Sequence, residues 1–501
     1  MMALKHSNDP LTLAWLLQDL VPVSAEMDRE ILDIKLDSRE VQRGDVFFAL
    51  RGISSSGDAY VEDAVRNGAV AIIADESFDL SCRALDLPVV QLPRLNEQLG
   101  FLANRYFHNP SWNMSLIGVT GTNGKTSVAY MLAQALAGEG NDLAACIGTL
   151  GSGIPGKLMA TRNTTPDAIS IHRSLSEMHS QGIKSVAMEV SSHALSQHRV
   201  NAVNIDVGVF TNLSQDHLDY HGDMQSYARA KRRLFEMEGM HTAIINNDDE
   251  FGRQLASELG NSLQVFTYGF GENPGGKSHL HGDIISNEIG ELSIKVDGPW
   301  GEVTIHTSFT GSFNGSNILA SFCVLCAGGM SAGESADKLA RVQPVPGRMQ
   351  CFKANDGKKI LVDYAHTPDA LEKALQGLRH IHKDRIITVV GCGGDRDNAK
   401  RPLMGAIAEK YSDTCIFTND NPRFEEPSKI IEQMLSGTSR PENINVIMDR
   451  TMAIEKAIAL ATATDAILIA GKGHETYQEI QGVRNPFSDR QLVRNLLGGA
   501  S

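Results

Sequence analysis

Residues 115–120, SLIGVT, run directly into GTNGKT and then into SVAYMLAQALAGEG. A short apolar run, a loop with two glycines and a helical run in direct succession leave few folds open. They describe a strand ending in a tight loop that feeds a helix N-terminus, where backbone N–H groups and the helix dipole converge on an anion. Gly121 and Gly124 permit positive φ and let phosphate oxygens approach the backbone. Lys125 is placed to reach the β and γ phosphates of a nucleotide, and the Thr126 hydroxyl to ligate Mg²⁺. The strict pattern has Gly where this chain has Val119, and Gly118 falls one residue early, so the loop is a variant. A glycine turn without a ligand is the plain alternative. Nucleotide binding by Gly121, Thr122, Asn123, Gly124, Lys125, Thr126 and Ser127 is the reading that the strand before and the helix after favour.

Alternating β and α patterns surround this loop. At about 150 residues per domain, a chain of 501 residues suggests roughly three domains. Residues 1–108 read as a small α/β unit, with a linker at YFHNPSWN. Residues 109–344 read as a P-loop-type domain on a mostly parallel sheet, with an antiparallel extension where residues 285–310 alternate apolar and polar. Residues 345–501 read as a doubly wound, Rossmann-like α/β domain. In such sheets ligands bind at the C-terminal strand ends, and DYAHTP, GCGGDRD, NDNPR and GKGHE all fall there. Four polar clusters at one edge predict a single site.

Charge and cysteine usage exclude some classes. A net charge of −14 argues against wrapping nucleic acid or an anionic membrane, though not against an anionic small substrate. The seven Cys are irregularly spaced, which suggests a reducing compartment and no disulfide frame. Cys323 and Cys326 form one CxxC in an apolar helical run and read as buried thiols. The N-terminus carries no apolar signal core, and no run of about 18 apolar residues suggests a membrane span. A cytoplasmic protein is expected. Glu189, ending the strand SVAMEV, and His217, in TNLSQDHLDYHGD, are candidates either for Mg²⁺ or for orienting loops by hydrogen bonds.

GTNGKT, NTTPD, EVSSHALSQHRV, FTNLSQDHLDYHGD, VPGRM, DYAHTPDAL, GCGGDRD, DNPR and GKGHE, in this order, resemble the Mur ligases of bacterial peptidoglycan synthesis over residues 30–490. The resemblance implies a cytoplasmic ADP-forming acid–amino-acid ligase, tied to cell-wall biogenesis, cell shape and division. ATP would phosphorylate the D-glutamate side-chain carboxylate of UDP-N-acetylmuramoyl-L-alanyl-D-glutamate, and a diamino acid's amine would attack the acyl phosphate. It further implies that the first domain holds the uridine nucleotide through Leu36, Ser38, Ile53, Ser54 and Ser55. Asn163, Thr164, Thr165, Ser191, Gln197 and Arg199 would hold the muramoyl dipeptide. Asn317 and Arg348 would line the adenosine side, with Asp363 and His366 nearby. Lys231 in YARAKRRLFE, by itself one more base on a solvated helix, matches a lysine that CO₂ carbamylates; the carbamate would join Thr126, Glu189 and His217 around Mg²⁺. Arg396, Asp420, Asn421, Pro422, Arg423, Gly471 and Glu475 match the diamino-acid site. In the family Asp-Asn-Pro-Arg marks users of meso-diaminopimelate, whose second carboxylate a guanidinium fork can clamp. Alone, Arg423 would read as a surface ion pair with Glu425 or Glu426. The resemblance implies small-molecule partners and a monomer, with no nucleic acid and no membrane. Rival readings are the same ligation with L-lysine, a dipeptide-adding Mur ligase, a folate polyglutamate ligase, or a nucleotide-dependent switch without ligase chemistry.

Overall fold

The computed structural model describes residues 10–52, 56–80, 85–138, 143–271 and 277–498. Ile53, Ser54 and Ser55, nominated for the uridine nucleotide, lie outside the described residues. Packing divides the chain into two compact units. The first runs to Lys125 and continues through Leu136–Ile245 and Asp249–Val265; the second holds Thr126–Ala135, Asn246–Asp248 and the chain from Phe266 onward.

The first unit opens with β1 (Asp33–Lys35), β2 (Asp45–Ala49), β3 (Ala71–Asp75) and β4 (Val89–Leu92), four parallel strands in that order. DVFFA and AIIAD are nearly all buried, so these strands read as apolar runs without alternation, as a sheet covered on both faces requires. The predicted linker is more tightly held than an Asn-Pro turn suggests. Pro110 and Ser111 are buried in a short 3₁₀ turn, and Ser111 Oγ accepts the Asn204 N–H at 3.1 Å. A second sheet follows, with β5 (Ser115–Thr120), β6 (Ala144–Gly148), β7 (Gly151–Gly153), β8 (Ser185–Glu189), β9 (Val207–Phe210) and β10 (Thr242–Asn246). β9, β5, β8 and β6 run parallel side by side, β10 joins β9 in parallel, and β7 turns back along β6. This order puts the ends of β5, β8 and β9 at one sheet edge, where a doubly wound fold binds its ligand. Asp167 caps the helix Ala168–Ser180 by accepting the Ser170 N–H, and Ser191 caps the short helix Ser192–Ser196 by accepting that of Ala194.

From the boundary at Val265, β11 (Gln264–Gly269) runs into the second unit and pairs in parallel there with β12 (His279–Glu288). β12, β13 (Glu291–Asp297) and β14 (Val303–Thr307) then form the antiparallel run that the alternation predicts. Cys323 and Cys326 are buried on the helix Ser312–Ala327. A six-stranded sheet follows: β15 (Gln350–Lys353), β16 (Lys359–Asp363), β17 (Ile386–Val390), β18 (Thr414–Phe417), β19 (Asn445–Val446) and β20 (Ala466–Ala470), in the order β15-β16-β20-β17-β18-β19. Only β15 runs antiparallel. A hairpin, β21 (Tyr477–Ile480) and β22 (Val483–Pro486), follows the last parallel strand. Among the described residues no helix is long and apolar enough to cross a membrane.

Candidate active site

Gly121 and Gly124 hold φ of +146° and +88° after β5, and the helix Lys125–Ala135 starts at once. A Cβ on Gly121 would lie 1.9 Å from Thr211 Oγ1, so the glycine is required by a side chain from the end of β9 as well as by its dihedral. Thr211 Oγ1 donates to Asn123 O at 2.6 Å, and Asn212 accepts the Asn123 N–H through Oδ1 at 3.0 Å. Thr122 Oγ1 donates to Ser214 O at 3.1 Å and accepts the Ser214 N–H at 3.0 Å. The loop is thus braced by the segment after β9. Lys125 Nζ curls over it, donating to the carbonyls of Gly121 (2.7 Å) and Thr122 (2.8 Å).

Beside the loop lies a cavity of about 250 Å³ lined by Lys125, Asn163, Thr164, Thr165, Ser191, Ser192, His193, Arg199, His217, Tyr227 and Lys231. Lys231, read from sequence as one base on a solvated helix face, is 1 % exposed. It projects from the helix Met224–Arg232, with Nζ 4.1 Å from the centre of the Tyr227 ring. Burial, reinforced by Lys125 and only opposed by Asp216, lowers its pKa well below the usual lysine value. Glu189 is buried at the end of β8. Its Oε1 accepts the Thr149 N–H at 2.7 Å, and its Oε2 the Thr149 hydroxyl at 3.3 Å. Thr165 Oγ1 donates to Glu189 O at 2.8 Å and accepts the Ser191 N–H at 3.0 Å. Thr165 is therefore a strut as well as a wall residue. Arg199 donates to Thr165 O at 2.8 Å and to Gln197 Oε1 through Nη2 at 2.6 Å, which makes one connected group of three nominated residues.

His217 holds a left-handed backbone (φ +53°) and stands beside Asp216, Nε2 to Oδ2 at 3.4 Å. Its ring lies 4.8 Å from that of His193, which packs on Tyr220 at 4.2 Å. Burial, then the neighbouring His217, His221 and Arg199, pushes His193 down to about 4, so it is neutral near pH 7.

Two larger cavities adjoin. One of about 860 Å³ is lined by Leu36, Ser38, Arg39, Arg162, Asn163 and Arg173 among others; one of about 670 Å³ by Leu36, Arg51, Gln197, His198, Arg199 and Tyr220 among others. The small cavity shares Asn163 with the first and Arg199 with the second. The nominated residues thus mark a path from Leu36 and Ser38 to Lys231. Arg162 holds one wall by pairing with Asp37 (3.0 Å) and Glu40 (2.7 Å).

The second unit carries a separate polar cluster at the strand ends of its six-stranded sheet. Arg423 donates Nη1 to Gly394 O at 2.6 Å and lies 4.0 Å from Glu479. Glu425, one of the partners that proximity suggested for it, binds Arg401 instead, at 2.8 and 2.9 Å. A Cβ on Gly393 would meet Arg423 Nη1 at 3.0 Å and Arg396 Cγ at 3.9 Å, so both arginines flank that glycine. Asn421 is buried and donates to Glu475 Oε2 at 2.9 Å. Asp420 Oδ1 accepts the Asn421 N–H at 2.8 Å, while its buried Oδ2 has no hydrogen-bond partner among the described residues. Gly471 must be glycine there: φ is +113° and a Cβ would stand 2.6 Å from Asp420 Oδ2. The Arg348 guanidinium stacks over Tyr364 at 4.8 Å, and the Asp363 carboxylate accepts the Met349 N–H at 2.6 Å. His366 Nδ1 contacts Tyr364 O at 2.8 Å. Asn317 is buried on the helix Ser312–Ala327 and donates to Asn314 Oδ1 at 3.3 Å.

Sequence reasoning missed Lys472, His193 and Tyr227. Lys472 had a visible signal, a lysine between two glycines at a strand end. The other two sit in motifs already quoted, but which way their rings face depends on packing.

Residues 30–107 match the Mur ligase family, catalytic domain; residues 119–325 match the Mur ligase middle domain; residues 347–473 match the Mur ligase, glutamate ligase domain. The UDP-N-acetylmuramoyl-L-alanyl-D-glutamate–2,6-diaminopimelate ligase of Chromobacterium violaceum is 44% identical over 472 residues, covering 93% of this chain and 94% of that protein. The protein of the same name from Coxiella burnetii is 43% identical over 468 residues, covering 93% and 95%. A solved structure of a ligase of that name superposes with a TM-score of 0.71 at 32% identity, covering 97% of this chain and 99% of that one.

Proposed function

Because the chain belongs to the Mur ligase family, we propose that it joins meso-diaminopimelate to the D-glutamate side-chain carboxylate of UDP-N-acetylmuramoyl-L-alanyl-D-glutamate, forming ADP and phosphate. The observation that carries this reading is the convergence of Lys125, Asn163, Thr164, Thr165, Ser191, Arg199, His217 and Lys231 on one small cavity beside a glycine loop. Relatives with this ligase name, alignable over nearly the whole chain, support the choice of substrates.

The loop N–H groups and Lys125 orient the phosphates of ATP so that the D-glutamate carboxylate can attack the γ phosphorus in line. Arg199, Gln197, Asn163 and Thr164 hold the dipeptide end of the nucleotide sugar, and the two larger cavities take its sugar and uridine. The acyl phosphate is then attacked by an amine, and the tetrahedral adduct collapses to amide and phosphate. Mg²⁺ would neutralise charge on the transferring phosphoryl group; Thr126, Glu189, His217 and carbamylated Lys231 are the residues we assign to it. Lys231 fits that role because burial favours its neutral amine, the form that adds CO₂ and gives up a proton. Glu189 fits because Thr149 pins its carboxylate at the sheet edge. Arg423, Arg396, Asp420, Asn421, Gly471 and Glu475 form the diamino-acid site, and Asn317 and Arg348 lie on the adenosine side. We place the reaction in the cytoplasm, with the monomer as the working unit.

The test is phosphate release by the purified protein with ATP, Mg²⁺ and the UDP-muramoyl dipeptide, comparing meso-diaminopimelate, L-lysine and no amine. Release with tripeptide product only in the first case is expected. Equal turnover with lysine would refute the acceptor assignment, and release independent of any amine would refute ligation.

A further inference from the structure

The acceptor-side cluster contains a buried cation. Lys472 follows β20 between Gly471 (φ +113°) and Gly473 (φ +49°), and it is 0 % exposed. Its Nζ donates to Asn421 Oδ1 at 2.9 Å and to Glu475 Oε2 at 2.8 Å. Asn421 Nδ2 donates to the same Oε2 at 2.9 Å, and Asn421 Oδ1 also accepts the Glu479 N–H at 2.9 Å.

Two consequences follow from this closed set. The Asn421 amide has one orientation, since a flip would set its NH₂ against the Lys472 ammonium and the Glu479 N–H. Glu475 Oε2 is saturated by two donors, while Oε1 receives no hydrogen bond among the described residues. The Glu475 side chain retains 18% exposure, so its remaining oxygen can reach a ligand.

We propose, building on the ligase reading above, that Lys472 is a positioning residue of the acceptor site. It turns Glu475 so that Oε1 meets an ammonium group of the incoming diamino acid, and it locks Asn421 beside it. Lys472 touches no substrate in this scheme and acts through Glu475.

The test compares Lys472→Met, Glu475→Gln and the double variant with the unmodified protein, measuring KM separately for ATP, the UDP-muramoyl dipeptide and meso-diaminopimelate. Lys472→Met keeps the side-chain length and removes both donors. It should raise the diaminopimelate KM by about tenfold or more and leave the other two within about twofold. On the Glu475→Gln background the same change should add clearly less than its full factor, because the carboxylate that Lys472 turns is gone and only Asn421 remains to be held. A uniform rise in all three KM values, or a full additional factor on the Glu475→Gln background, would overturn the role in favour of plain structural support. If Lys472→Met alone does not fold, the double variant leaves no unpaired buried charge and is read against Glu475→Gln by the same criterion. An unmodified protein without amine-dependent phosphate release overturns the ligase reading and this role together. Normal turnover of the unmodified protein with an unchanged diaminopimelate KM in Lys472→Met overturns this role alone.

Discussion

Gly148 gives a direct handle on Glu189. It ends β6 opposite the end of β8, and a Cβ built on it would lie 2.1 Å from Glu189 Oε1 and 2.7 Å from Cδ. Gly148 is not among the positive-φ glycines, so Gly148→Ala strains no dihedral and acts only through that contact. The carboxylate is buried and must leave the Thr149 N–H that it accepts at 2.7 Å. Overpacking costs about 1–3 kcal/mol, and a buried donor left unsatisfied costs about 1–3 kcal/mol more. At about 2–4 °C per kcal/mol for a domain of this class, the melting temperature should fall by on the order of 10 °C. Phosphate release at saturating substrates should fall at least about tenfold, because a group worth that much must hold its geometry within a fraction of an ångström. Adding Glu189→Asp shortens the side chain by one methylene and should recover part of the melting temperature. The assays are a thermal melt and the amine-dependent release of phosphate on the three proteins. A Gly148→Ala protein with unchanged melting and turnover would refute both the tight placement of Glu189 and its part in the chemistry.

Arg423→Lys keeps the charge but loses the planar fork, so the preference for meso-diaminopimelate over L-lysine in competing turnover should fall at least about tenfold. Lys231→Met should abolish turnover yet stabilise the fold in CO₂-free buffer. With the folded-state pKa lowered by burial, the unfolded chain binds a proton that the folded site resists, so unmodified stability rises with pH up to about 10.4 and the variant lacks that slope; chemical denaturation between neutral and alkaline pH reads it. The side chains of Arg450 and Asp489 are both fully buried and paired at 2.8 Å, with Arg450 also donating to Ala470 O. Arg450→Met should cost about 3–5 kcal/mol in a denaturant titration, and Arg450→Met with Asp489→Asn clearly less.

What was legible in the sequence was local. A strand, a glycine loop and a helix in succession, and polar clusters after apolar runs, are written in neighbouring residues, and β5, β8, β16, β17, β18 and β20 lie where those runs do. Burial of an ionisable side chain is not local. YARAKRRLFE carries charges around the whole helix, and only the packing of Tyr227 and the phosphate loop makes Lys231 a buried amine while Arg229 and Arg232 stay outside. Partners far apart in the chain are equally hidden: Arg450 finds Asp489 39 residues on, and Lys472 finds Asn421 51 residues back.

Arg423 shows what that distinction decides. Proximity offered it Glu425 and Glu426, and a fork spent on a surface carboxylate cannot hold a ligand. Arg401, from the helix Lys400–Tyr411, takes Glu425 with both terminal nitrogens and holds Gly393 O at 3.0 Å. The Asp395 N–H also goes to Glu425, which ties the GGDRD loop to the segment after Pro422. Arg423 itself holds a left-handed backbone (φ +51°), uncommon outside glycine, Asn and Asp. It is kept there by its N–H to Glu479 O at 3.0 Å and by the Gln481 N–H to its own carbonyl at 2.7 Å. Its one guanidinium hydrogen bond among the described residues goes to Gly394 O. Backbone strain held by flanking hydrogen bonds, the Glu425 carboxylate diverted to another arginine, and a fork with donors to spare and Glu479 no nearer than 4.0 Å favour the carboxylate clamp proposed for Arg423 over a surface ion pair.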